Sequence, residues 1–195
     1  MKRMLCMMLC LAMLCLMPTV QAEENVQEWV FRNGVTWNST LEDVVALEGE
    51  ADDVDEYEEL SFISYEGVRV SKFEEAYLGY AFKQDQLVCA AYGLESLTAQ
   101  EYDYLTAALT SKYSQSIPVD AQRVNMLMNC ISNYDDGMFD LNSWVLADGT
   151  LIALFWDSYS KVAEEGAELY DFVYLIYFNE PLLEKLNGIY NTDGL

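Results

Sequence analysis

Histidine does not occur anywhere in the 195 residues of this chain. Its absence excludes Ser-His and Cys-His catalysis, and with them every histidine-ligated zinc or haem site. Acid–base chemistry would fall to carboxylates, Tyr, Lys or Cys, and no nucleophile motif is present to use it. Basic residues are scarce as well, 10 against 33 acidic ones, for a formal net charge of −23. A field of that sign repels phosphate backbones and anionic headgroups. It therefore argues against nucleic acid as a partner and favours basic protein surfaces or cations. Proline occurs only three times, and no stretch rich in Gly, Pro or Ser marks an internal linker. No apolar run reaches the roughly 20 residues that a membrane-spanning helix needs.

The longest apolar run, residues 4–17, reads as something else. Lys2 and Arg3 precede it, Pro18 and Thr19 break it, and Val20-Gln21-Ala22 places small residues at −3 and −1 of a cleavage site. This is the pattern of an export signal. Cys15 near the end of the run raises lipid anchoring as a rival, but the preceding Leu14 is larger than the small residue that site prefers. Residues 1–22 are thus expected to be a signal peptide, cleaved near Ala22. Residues 23–195 are expected to be a single acidic domain in the cell envelope or secreted. Lys2 and Arg3 leave with the leader, so 8 basic residues face 33 acidic ones, a formal charge of −25 on 173 residues. That length suffices for one proper core. Cys6, Cys10 and Cys15 leave too, and Cys89 and Cys130 remain. A disulfide between them would close a loop of about 40 residues, worth roughly 3–4 kcal/mol. Both also sit in apolar surroundings that suit buried free thiols. Spacing does not choose between the two states.

Along the chain, residues 28–37 read as a short first strand. Ser39 and Glu42 are spaced as a capping box for a helix carrying Leu41, Val44 and Val45 and stopped by Gly49. Residues 48–59 hold eight carboxylates and read as an exposed loop. Asp52, Asp53 and Asp55 are its calcium candidates, but the glycine and terminal glutamate of an EF-hand loop are missing. Hairpins are expected over 60–65 and 68–73 around Glu66-Gly67, and over 76–82 and 87–93 around 83–86. Thr98 and Glu101 form a second capping box. Behind it Tyr102, Leu105, Leu109 and Tyr113 make one stripe, Tyr104 falls off it, Lys112 suits the C-terminal dipole, and Pro118 ends the helix. Strands are expected over 123–132, 138–147 and 150–157. They turn through Asp135-Asp136-Gly137 and through Asp148-Gly149, the latter as a type I′ hairpin. A polar connection over 158–169 leads to an apolar strand at 171–178 fit for the centre of a sheet, one helical turn at 181–186, and a fraying tail. The expected class is α+β: two layers, a mostly antiparallel sheet built from hairpins, and two short helices packed on one face.

Trp37-Asn38-Ser39-Thr40, Asp43-Val44 and Glu48-Gly49 resemble the opening helix of modules shaped like the β-lactamase-inhibitor protein, which also occur in small envelope lipoproteins of the outer-membrane assembly type. The hairpins, the second helix and Trp144-x-Leu146-x-Asp148-Gly149-Thr150 resemble exported proteins of Gram-positive bacteria. The motif departs at Asn38, where glycine is usual, at Ser114, which replaces a helix-ending glycine, and after Gly49, where a proline is expected. The resemblance implies short helices against an antiparallel sheet and protein binding through the sheet's open face. It transfers no binding residues. The 14 tyrosines agree with an interface, since a phenol buries one end and wets the other, although β-propensity alone places many of them in a sheet. The expectation is a non-enzymatic exported protein that binds another protein or serves a structural role, with no cofactor. A carboxylate-pair hydrolase and a calcium-stabilised envelope protein are the alternatives.

Overall fold

A computed structural model describes residues 29–113, 119–131, 138–157 and 170–187. The expected signal peptide, the Asp135-Asp136-Gly137 turn, the 158–169 connection and the tail lie outside the described residues. Among these residues seven strands form one antiparallel sheet: β1 (Asp53–Tyr57), β2 (Leu60–Val70), β3 (Phe73–Lys83), β4 (Gln86–Leu97), β5 (Met138–Val145), β6 (Thr150–Asp157) and β7 (Tyr170–Asn179). Their order across the sheet is β1-β2-β3-β4-β7-β6-β5. The first four strands form a meander. The chain then crosses to the far edge and returns strand by strand, so that β7 closes against β4. The apolar 171–178 segment is indeed central, flanked on both sides by strands that are themselves largely buried.

Among the described residues four α-helices accompany the sheet: α1 (Leu41–Glu48), α2 (Ala99–Tyr113), α3 (Ala121–Asn129) and α4 (Glu180–Asn187). Alternation along the strands sorts the core into two clusters on opposite faces of the sheet. Leu78, Tyr80, Ala90, Tyr92, Ile152, Leu154, Leu175 and Tyr177 point to one face, where Val44 of α1 and Tyr102, Leu105 and Leu109 of α2 cover them. Cys89, Leu151, Ala153, Phe155, Ile176 and Phe178 point to the other, under Val124, Leu127 and Met128 of α3 and Leu183 of α4. The expected pair of helices on one face thus gives way to helices on both. The cause is the 123–132 segment, expected as a strand. Val124, Leu127, Met128 and Ile131 are spaced i, i+3, i+4, i+7, one helical face rather than an alternation, and all four are buried. Asp120 caps α3 by accepting from the Gln122 N–H at 3.0 Å.

Other expectations shift by local chemistry. The capping box of α1 lies one residue later, at Thr40 and Asp43, because the Ser39 hydroxyl is already taken by the Thr36 N–H (3.1 Å). The Thr98–Glu101 box forms as expected, and both cap carboxylates are held below their usual range by the Thr N–H bonds they accept. In place of a first strand there is one bridge, Val30 to Thr36, around a 3-10 turn at Arg32–Gly34. β2 runs straight through Glu66-Gly67 as an irregularity, and the hairpin turns instead at Ser71-Lys72. The β3–β4 turn tightens to Gln84-Asp85, both at positive φ. Only Gly149 has positive φ in the β5–β6 turn. Ala147-Asp148-Gly149 is therefore a three-residue loop closed by Leu146 and Thr150, not a type I′ pair.

Candidate functional site

Among the described residues, part of the second face over β2, β3, β4 and the start of β7 carries side chains that are only partly buried: Phe172 and Tyr174 are half-buried and Tyr77 is exposed. Register assembles this strip. Tyr77 stands opposite Gly93, Gly93 opposite Tyr174, and Tyr174 opposite Phe155. One step further along, Ser64 meets Gly79 and Gly79 meets Ala91. The floor is thus made of residues with little or no side chain, and the aromatics stand at its end. Phe172 lies on Gly93, so close that a Cβ there would come within 2.6 Å of its ring. Its ring stacks with Tyr77 at 6.1 Å between centroids and packs against Tyr174 at 4.8 Å, and Tyr174 in turn meets Phe155 at 5.5 Å. Four rings form a continuous ladder from the buried core out to Tyr77, which is 38% exposed. Offset pairs of this kind contribute about 0.5–1.5 kcal/mol each beyond area burial, so the ladder is a stiff platform.

Its rim is acidic. Glu66, Glu75 and Glu95 are exposed around Tyr77, and Asp53 stands in the edge strand opposite Ser64. Glu95 raises the Tyr77 phenol above its ordinary value by its negative charge, with desolvation, a hydrogen bond to Glu95 and the charge of Glu66 adding to the shift. The phenol therefore stays a neutral donor beside carboxylates. An aromatic surface under negative potential suits a cationic side chain, which gains from both the ring faces and the carboxylates.

The residues singled out in the sequence fall elsewhere. Asp53 and Asp55 lie in β1, the exposed edge strand, rather than in a loop. Asp52 precedes them and accepts from the Glu66 N–H at 2.8 Å, and Asp55 accepts from the Glu56 N–H at 3.0 Å. Among the described residues no group of three or more carboxylates or cysteines is placed to hold a metal ion. The charges of β1 instead blunt an open sheet edge. Cys89 and Cys130 are free thiols, Cys89 buried in β4 and Cys130 half-buried at the end of α3, where its Sγ donates to the Met126 carbonyl. Burial pushes both thiols up, with Lys83 pulling the other way on Cys130. Cys130 lines a cleft of about 500 Å³, with Lys83, Asn187 and the adjacent Glu58 and Glu59 of an exposed turn.

Sequence reasoning missed Phe172, Tyr174, Gly79 and Gly93 as a group. The signal available was the spacing of Phe172 and Tyr174, two apart in a strand and so on one face. Their meeting with Tyr77 required the β4–β7 pairing. Among the described residues no helix is long and apolar enough to cross a membrane. No protein-family model, curated protein or solved structure matches the chain.

Proposed function

We propose that this chain is an exported, non-enzymatic binding module of the cell envelope or secretome, and that it docks a basic segment of another protein on the Tyr77–Phe172–Tyr174 strip. The observation that carries this reading is a stiff aromatic ladder that emerges from the core at the exposed Tyr77, with a rim of carboxylates around it and a small-residue floor beside it. A Lys- or Arg-bearing segment fits that combination by charge and by ring contact. The leader at residues 1–22 supports placing the encounter outside the cytoplasm.

Site-specific photo-crosslinking in the native host tests both parts. The full chain carries the crosslinker at position 75, beside the strip, or at position 107 on the opposite face. The expected result is a discrete adduct from position 75 only, formed by protein that begins at Glu23. It should weaken as salt rises and vanish in Phe172→Ala. Equal crosslinking from both positions, or none from position 75 at low ionic strength, overturns the docking surface. Cytosolic protein retaining Met1 overturns export.

A further inference from the structure

A second cleft lies on the opposite face, between α2 and the segment that precedes α1. It encloses about 340 Å³, at the small end of the range of ligand sites. Its walls are apolar and aromatic, with Leu105 and Leu109 from α2, Leu175 and Tyr177 from β7, and Tyr92 from β4. Phe31 closes one side, 5.1 Å from both tyrosine rings between centroids. Two cations, Arg32 and Lys112, are among its lining residues, with the Lys112 ammonium lying over the Tyr113 ring at 4.8 Å. The expected mature chain has 8 basic residues against 33 acidic ones, so their convergence on one small cleft stands out against the charge of the molecule.

Arg32 is the telling residue. Its Nε lies 3.1 Å from Glu48 Oε2, an ion pair without hydrogen-bond alignment, and its Nη1 is buried with no hydrogen-bond partner. Glu48 is otherwise occupied: its Oε1 accepts from the Tyr80 phenol at 2.6 Å, and Oε2, the oxygen facing Arg32, also accepts from Asn33 Nδ2 at 2.8 Å. The Tyr92 phenol stands beside the same guanidinium, whose charge and side-chain hydrogen bond act on it against the rise that burial causes. The Arg32 side chain is still 28% exposed, and a carboxylate is the partner whose planar geometry a guanidinium matches best.

We propose that this cleft binds a small unbranched monocarboxylic acid, its carboxylate on Arg32 with Lys112 at the mouth and its hydrocarbon body between Leu105, Leu109, Leu175 and the rings of Tyr92 and Tyr177. The site is independent of the docking strip, because it lies on the other face of the sheet.

Titration calorimetry of the chain from residue 23 with decanoate, decanol and decylammonium tests it. Decanoate should bind one to one with a Kd below about 1 mM, and about tenfold or more tighter than either analogue. Ala108→Trp places an indole in the cleft and should abolish binding. Lys112→Met, at an exposed position, should weaken decanoate while leaving decanol unchanged. Arg32→Met should do the same more strongly. It also strips Glu48 of its cation, so if that variant fails to fold, the other two decide the matter. Equal binding of all three amphiphiles, or decanoate binding indifferent to Ala108→Trp, overturns the proposal.

Discussion

Gly93 offers the sharpest test of the aromatic strip, because two glycines on the same face make a matched pair. A Cβ built on Gly79 meets nothing within 4 Å, whereas one on Gly93 falls 2.6 Å from Phe172 Cε1 and 2.9 Å from its Cζ. The Gly93→Ala variant must therefore push the Phe172 ring aside. The ring can swing, but only by leaving its contacts with Tyr77 and Tyr174, each worth about 0.5–1.5 kcal/mol. Against that loss of about 1–3 kcal/mol stands a gain of roughly 0.5–1 kcal/mol from replacing glycine by alanine in a strand. The net expectation for Gly93→Ala is destabilisation centred on about 1 kcal/mol and reaching at most about 2.5 kcal/mol, a fall in Tm of roughly 2–4 °C at the centre of that range for a domain of this size. Gly79→Ala should be neutral or slightly stabilising. Urea denaturation of both variants, with near-ultraviolet circular dichroism to follow the rings, measures the difference. If Gly93→Ala proves as stable as Gly79→Ala, Phe172 does not sit on Gly93 and the platform reasoning fails with it.

Three further outcomes follow from the packing. Burial raises the phenols of Tyr80 and Tyr177 well above their ordinary value and that of Tyr92 to about 12. Above pH 10 the unfolded chain then holds fewer protons than the folded one, so stability should stay flat to about pH 9 and fall beyond 10. The 295 nm tyrosinate signal of these phenols should appear together with unfolding, and early ionisation without unfolding would contradict their burial. Glu48→Gln leaves the Arg32 charge uncompensated beside a side chain that is 2% exposed. It should cost about 1–3 kcal/mol in chemical denaturation, tempered by the partial exposure of Arg32. Iodoacetamide under native conditions should label Cys130 slowly and leave Cys89 untouched until the protein unfolds, as mass spectrometry would show. Rapid labelling of Cys89 would place it outside the core.

Much of the fold was legible because its signals are local. The Thr98 cap and the Tyr102, Leu105, Leu109 stripe predict α2, and the 76–82 and 87–93 hairpin follows from two apolar runs around a polar turn. The apolar run at 171–178 announced a central strand. Failures came where a local signal had two readings. The 123–132 segment is apolar enough for a strand, and only the 124, 127, 128, 131 spacing marks a helix. The acidic 53–57 stretch has poor β-propensity, yet pairs as β1 because β2 offers an open edge for its backbone.

The sequence alone determined the charge, the excluded chemistries, the leader pattern and most element types, since each depends on residues near one another in the chain. The tertiary structure decided which elements meet. Tyr77 and Phe172 are 95 positions apart and touch only because β7 returns beside β4. Arg32, Tyr92 and Lys112 share a cleft only because α2 packs over the face that carries Tyr92 and Tyr177. Long-range pairing is set by how the whole sheet buries both faces at once, a condition that no window of sequence contains.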